Sequence, residues 1–221
     1  MKALILGVLL SLTATALKAG AWPREEGQLF IAAGGNFLLS EGAELPVYYD
    51  PTLYAEYGLR PWLTLGTDLY TADKGRISST FVFAMTPIGD PERDLRRMAG
   101  IGFGYRFNND GSEEALIRPA LSLGQATASG WLAFDGSATY GTTVTKWRPK
   151  GDFTWGHHWT DRITTTFQVQ TGTGFTGDHY AKISPTVIWT LNDRIKVNLG
   201  AVQALTGDRG SALKFETWLT F

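Results

Sequence analysis

The chain has 221 residues, 20 basic and 21 acidic side chains and a formal net charge of −1, with a mean hydropathy of −0.09. Hydrophobic residues make up 43% of it and aromatics 13%, glycines number 26 and cysteine is absent. These figures exclude a helical membrane protein, a polar disordered chain, a disulfide framework and a thiolate metal site, and a chain without thiols suits export into an oxidising compartment.

The first stretch, MKALILGVLLSLTATALKAGA, stands apart from the rest. Lys2 makes a positive start, and residues 3–17 form an apolar run of about 15, the length of a secretory h-region. Ala19, Gly20 and Ala21 form an A-x-A cleavage pattern. A spanning helix needs about 20 apolar residues, and Lys18 closes this run earlier. The expectation is a cleaved signal peptide over 1–21 and a mature domain over 22–221 that starts at Trp22. Without Lys2 and Lys18 the mature chain has 18 basic and 21 acidic residues, a net charge of −3. No basic block points to nucleic acid, and no like-charge run marks an interaction tail.

Beyond the leader the chain alternates with a period of two, which places successive side chains on opposite faces of a strand. Leu53, Ala55, Tyr57 and Leu59 oppose Thr52, Tyr54, Glu56 and Gly58. Leu63, Leu65 and Leu69 oppose Thr64, Gly66 and Asp68, and Ile101, Phe103, Tyr105 and Phe107 oppose Gly100, Gly102, Gly104 and Arg106. The same holds for Ile163, Phe167 and Val169 against Thr164, Thr166, Gln168 and Gln170. It continues through Ile183, Val187 and Trp189, then Ile195, Val197 and Leu199, to Leu213, Phe215, Leu219 and Phe221.

Twelve strands follow, near 28–39, 51–60, 63–73, 76–86, 96–107, 114–124, 130–144, 150–160, 163–173, 180–191, 194–206 and 211–221. Boundaries are least defined over 125–151, so ten strands is the alternative count and eight a more distant one. The charged stretch DPERDLRR at 90–97 reads as a loop or a single turn. Tight polar turns at 60–62, 159–162 and 191–194 take turns with looser connections at 41–46, 72–76, 108–114, 174–179 and 207–211.

Globular strands average about 5–6 residues, whereas a membrane-crossing strand needs about 9–11. Segments of this length therefore predict an all-β fold: a transmembrane up-and-down antiparallel β-barrel of about 12 strands, closed by pairing of the first and last. A soluble β-sandwich is the competitor, with shorter strands and more frequent turns. Trp62, Trp159 and Trp189 near the tight turns, and Tyr48, Tyr49, Tyr70, Trp147 and Tyr180 near the loops, read as two aromatic girdles.

The chain ends F-E-T-W-L-T-F, an aromatic residue with nothing after it. A barrel accounts for this, because its last strand must pair with its first to leave no open edge in hydrocarbon. The ending resembles the C-terminal signature of Gram-negative outer-membrane β-barrel proteins: Leu213, Phe215, Leu219 and Phe221 match it, and Thr217 departs from it. The resemblance implies export to the cell outer membrane, lipid as surroundings, and recognition of Phe215, Leu219 and Phe221 by the barrel-assembly machinery. AWPREEGQLF, YAEYGLRPWLTLG and SPTVIWTLNDRIKVNLG likewise resemble uncharacterised outer-membrane proteins of about this size. That wider likeness carries no activity with it. A monomer is the default expectation.

The lumen face of such a barrel predicts Glu56, Asp68, Arg106, Arg118, Asp135, Asp152, Lys182, Lys196, Lys214 and Glu216 as lining residues. Lys182, Lys196 and Lys214 fall on three consecutive strands, and closure is expected to bring Glu56 and Glu216 near one another. Mixed signs suit a weakly selective pore or a salt-bridged interior. A narrow pore or small-solute transporter is the leading expectation, a structural barrel without conduction the second.

An enzyme, a lipid hydrolase or acyl transferase, is the third. His157 on the lipid face between Trp155 and Trp159 would be its base, but the facing strand offers Thr164 to Thr166 and no serine. His158 faces the lumen and His179 a loop. The loop NNDGSEE at 108–114 has the composition of a calcium loop without its full spacing. No catalytic, metal or cofactor site is expected.

Overall fold

The computed structural model describes residues 20–39, 48–72, 77–90, 93–108, 110–174, 177–207 and 210–221. Leader residues 1–19, the expected loop at 41–46 and the expected loop at 72–76 apart from Ala72, which ends a strand, lie outside them. Twelve strands run in chain order: β1 (Leu29–Leu39), β2 (Tyr48–Arg60), β3 (Leu63–Ala72), β4 (Ile77–Pro87), β5 (Leu95–Phe107), β6 (Glu113–Thr127), β7 (Gly130–Gly141), β8 (Lys146–His158), β9 (Ile163–Thr173), β10 (His179–Thr190), β11 (Ile195–Thr206) and β12 (Ser211–Thr220). Each pairs antiparallel with its chain neighbours, and β1 pairs with β12 to close the barrel. The count is twelve, which sets the ten-strand alternative aside. Closure runs to the last residue: the Phe221 N–H donates to the Leu29 carbonyl at 2.9 Å, and the Leu29 N–H returns the bond at 3.0 Å.

Two tight turns share a local recipe. In W-T-D-R-I the Thr160 hydroxyl accepts from the N–H groups of Arg162 and Ile163 at 3.2 and 3.0 Å. In L-N-D-R-I the Asn192 side-chain oxygen accepts from Arg194 and Ile195 at 2.9 and 3.0 Å. A side-chain oxygen at the first turn position substitutes for the missing backbone partner.

Four boundaries differ from the sequence expectation by three residues or more: β2 starts at Tyr48, β6 runs on to Thr127, β7 ends at Gly141 and β8 starts at Lys146. Proline explains the last. Pro149 has no N–H, and β8 pairs with β9 only from Lys150 onward, so this proline stands where one neighbour is missing. Pro51 likewise precedes the first β2–β3 pair, Thr52 with Tyr70. Pro119 and Pro185 stand mid-strand, where the ladder itself is interrupted. β6–β7 pairing skips from Ile117 to Ala120, and β10–β11 pairing from Ile183 to Thr186, with the register unchanged across each gap.

The outward face carries a belt of exposed apolar side chains, among them Leu53, Val82, Phe103, Phe153, Phe167, Leu199 and Phe215. A patch of this extent is far larger than monomers leave to water and is what a bilayer-facing barrel presents. Trp62, Trp159 and Trp189 stand 61, 62 and 57% exposed at the tight-turn rim, and Tyr49 and Trp147 near the other. Tyr70 and Tyr180 are corrections: they share parity with Asp68 and Lys182, so they fall on the inward face. The buried apolar cluster of Trp131, Ala133 and Ile188, with Trp22 and Trp218 against it, sits inside the barrel.

Candidate functional site in the barrel lumen

The segment before β1 turns into the lumen. Trp22 packs against the cluster of Trp131, Ala133 and Ile188. Arg24 enters an ion pair with Glu56 of β2: its Nε and Nη2 atoms both lie 2.6 Å from Oε2, with side chains 8 and 4% exposed. Tyr54 Oη donates to the second carboxylate oxygen at 2.6 Å. The Arg24 N–H donates to Thr64 Oγ1 at 3.2 Å, and its guanidinium lies 4.2 Å from the centre of the Phe30 ring. Gly58 makes room for this strap, because a Cβ there would stand 1.9 Å from the Glu25 carbonyl oxygen. The strap narrows the tight-turn end of the lumen.

Above it lies a cavity of about 460 Å³. Its cations are all in ion pairs. Besides Arg24, Arg118 of β6 reaches across to Asp68 of β3 at 2.9 Å, Lys150 pairs with Asp152 at 2.7 Å and Lys214 with Glu216 at 3.3 Å. Arg118 also lies 3.8 Å over the Phe81 ring. Asp135 has a different partner, the Ser122 hydroxyl, which donates at 2.5 Å. Paired charge is the arrangement a half-buried interior tolerates.

The two sides of the cavity differ in chemistry. Trp218, Phe30 and Tyr54, on the adjacent strands β12, β1 and β2, and Phe83 on β4 form a chain of rings. Centroid separations are 5.7, 6.4 and 5.6 Å in that order. Gly66 of β3 admits the Phe83 ring, whose Cζ would stand 2.2 Å from a Cβ there. Across the twelve-strand ring, β8, β9 and β10 offer Thr154, Thr166, Gln168, Ser184 and Thr186. Gln168 Nε2 donates to Thr154 Oγ1 at 3.1 Å, and Gln170 Nε2 to Gln168 Oε1 at 2.6 Å, so this wall is a hydrogen-bonded network. Three buried polar atoms of lining residues, Trp131 Nε1, Asn198 Oδ1 and Asp152 Oδ1, have no protein partner.

Of the residues expected to line the lumen, Glu56, Asp68, Arg118, Asp135, Asp152, Lys214 and Glu216 border this cavity. Arg106, Lys182 and Lys196 do not. Arg106 is buried at the loop end of β5, opposite Glu114 and Ser79. The three lysines do not share a height: Lys182 pairs with Ala204 at the loop end of β11, Lys196 with Thr190 at the turn end of β10, and Lys214 with Gly200 midway. Strand direction reverses at every turn, so residues on consecutive strands meet only where the register brings them together. Glu56 and Glu216 also stay apart. They face Phe30 and Gly34 of β1, four residues or about 13 Å of strand from each other.

Phe215 and Phe221 point outward, 41 and 60% exposed, and Leu219 pairs with Ile31. Sequence reading missed Arg24, Trp22 and Lys150 as lumen residues, together with the buried pair Arg148–Glu114, 3.6 Å apart. The legible signal for the strap was glycine at Gly58, on the lumen face beside Glu56.

The histidines take separate places. His157 Nδ1 lies 3.1 Å from Ser129 Oγ in the β6–β7 turn, with the Trp159 ring 4.5 Å away. The serine absent from the facing strand is thus supplied from the other side. His158 Nδ1 bonds Thr164 Oγ1 at 2.9 Å, and His179 Nε2 lies 3.4 Å from Thr171 Oγ1. In the loop at 108–114, Ser112 donates through its N–H and hydroxyl to Asp110 at 2.9 and 2.6 Å, and these bonds hold that carboxyl below its ordinary range.

No family model and no curated protein matches this sequence. The fold does have solved counterparts. A KdgM porin superposes with a TM-score of 0.63 at 10% identity, covering 88% of this chain and 99% of that one. A NanC porin gives 0.62 at 11% identity, covering 87 and 98%. The COG4313 outer membrane channel from Pseudomonas putida F1 gives 0.58 at 8% identity, covering 93 and 100%. At these identities the likeness is one of fold.

Proposed function

We propose that this protein spans the outer membrane as a narrow pore that passes small solutes. One observation carries the reading: a cavity lined by charged, polar and aromatic side chains, its cations all ion-paired, lies inside a closed cylinder with an apolar exterior. Such a lumen holds water, and its balanced charge favours weak ion selectivity. Solved barrels of the same architecture are described as porins and an outer membrane channel, which supports a passage.

The chain reaches the membrane through its leader, is cut before Trp22, and is assembled through Phe215, Leu219 and Phe221. Its surroundings are outer-membrane lipids, and it works as a monomer. A KdgM porin has been described in complex with oligogalacturonate, a polyanion. The paired cations here do not favour the same solute class.

The test is single-channel recording of the refolded mature protein in a planar bilayer, with folding checked by a heat-dependent gel shift. Discrete steps are expected. A silent bilayer with folded protein would select the non-conducting barrel, the reading that the strap across the turn end favours.

A further inference from the structure

On the reading of the lumen as a solute passage, we infer that its cavity binds neutral saccharides of mono- or disaccharide size. The volume of about 460 Å³ falls among small-molecule sites, which span roughly 300–1,000 Å³. The lining selects the chemistry. A sugar ring has an apolar C–H face and a rim of hydroxyls. The ring chain from Trp218 to Phe83 offers apolar ring faces and edges for the first, with Tyr54 and Phe83 inclined by 27° to each other. The hydroxyls and amides of β8 to β10 stand across the lumen to meet the second.

The unsatisfied atoms agree. Trp131 and Asn198 are 4 and 1% exposed, and the first leaves a donor, the second an acceptor, without a protein partner on the cavity wall. A hydroxyl group both donates and accepts, so it serves either one. An apolar solute would leave these atoms unpaired. An anionic solute would have to break ion pairs of 2.6 to 3.3 Å to reach Arg24, Arg118, Lys150 or Lys214. A neutral polyol with an apolar face avoids both penalties.

The experiment is calorimetric titration of the folded, detergent-solubilised mature protein with maltose, digalacturonate and benzyl alcohol in parallel. Maltose is expected to bind at least about tenfold more tightly than either competitor. Phe83→Leu, which shortens the ring chain, and Ser184→Ala with Thr186→Val, which strips the opposite wall, are each expected to weaken maltose about fivefold or more. Heat-dependent gel mobility verifies that the variants fold. If they do not, the ranking of the three probes on the unsubstituted protein still decides. Equal or tighter binding of digalacturonate or benzyl alcohol, or no heat with maltose, overturns the inference. Conductance of the same preparation separates the two readings. A conducting barrel that ignores maltose keeps the passage and loses the saccharide site. A silent one that binds maltose does the reverse.

Discussion

Arg24 holds Glu56 from inside the barrel, with Nε and Nη2 both 2.6 Å from one carboxylate oxygen. The two residues are 32 apart in sequence, and the contact turns a segment that precedes the first strand into part of the lumen wall. The geometry makes the strap testable through either partner.

Arg24→Ala leaves a buried carboxylate without its cation. Breaking such a pair costs about 3–5 kcal/mol, whereas removing both charges costs much less. Urea unfolding in lipid vesicles, followed by tryptophan fluorescence, is expected to show a large loss for Arg24→Ala and a partial recovery for Arg24→Met combined with Glu56→Gln. Equal destabilisation by the single and double variants would remove the ion pair as the anchor.

Gly58→Ala attacks the same strap without touching charge. Its Cβ would stand 1.9 Å from the Glu25 carbonyl, so the strap has to move off β2. Unitary conductance is expected to rise in this variant. Unchanged conductance in a folded Gly58→Ala barrel would mean that the strap does not limit flow.

Phe167 and Gln168 are neighbours in β9 with opposite surroundings: Phe167 is 40% exposed on the outer belt, and Gln168 borders the cavity. An arginine at a lipid-facing mid-membrane position costs about 2–4 kcal/mol. Phe167→Arg is therefore expected to lower the folding free energy by that amount in vesicles, and Gln168→Arg to be tolerated. If both behave alike, the outer belt does not face lipid.

Deleting Phe221 removes both hydrogen bonds of the pair it forms with Leu29, as well as the exposed ring at the rim. Assembly in the outer membrane is expected to fall sharply, read as loss of the heat-modifiable band in membrane fractions. Normal yield of folded barrel would show that closure short of the final pair suffices.

Asp135 borders the cavity with a serine hydroxyl as its partner rather than a cation. It gives the cavity one more acid than its ion pairs use. A slight cation preference is expected in bi-ionic reversal-potential measurements, and Asp135→Asn is expected to shift it toward zero. A preference that does not move with this substitution is set elsewhere along the pore.

The fold was legible because a period of two persists through strands of 10 to 15 residues, and nothing in the chain competes with it. Alternation assigns a face, which is why Glu56, Asp68, Arg118 and Lys214 could be placed inward. It does not assign a height. Height depends on register, and register separated Lys182, Lys196 and Lys214 along the axis. The strap was hidden for another reason: WPREEG has no periodicity, and a lone arginine just after a leader reads as solvent-exposed. Ser129 escaped notice because its pairing with His157 comes from a turn, where parity says nothing.

The two mid-strand prolines give the cylinder unequal stiffness. Pro119 and Pro185 each remove hydrogen bonding halfway along a ladder, one between β6 and β7, the other between β10 and β11. A hydrogen bond contributes about 0.5–1.5 kcal/mol, so these two seams are compliant lines midway along the wall. Between them hang β7 to β10, the panel that bears the hydroxyls and amides. A solute pressing on that panel meets a surface able to yield outward as a unit, hinged at Pro119 on one side and Pro185 on the other. Amide exchange is expected to be fastest where the rungs are missing, at Ala138 and Thr139 on β7 and at Ala201 and Val202 on β11. Protection there equal to that of flanking residues would mean the seams are as rigid as the rest of the wall.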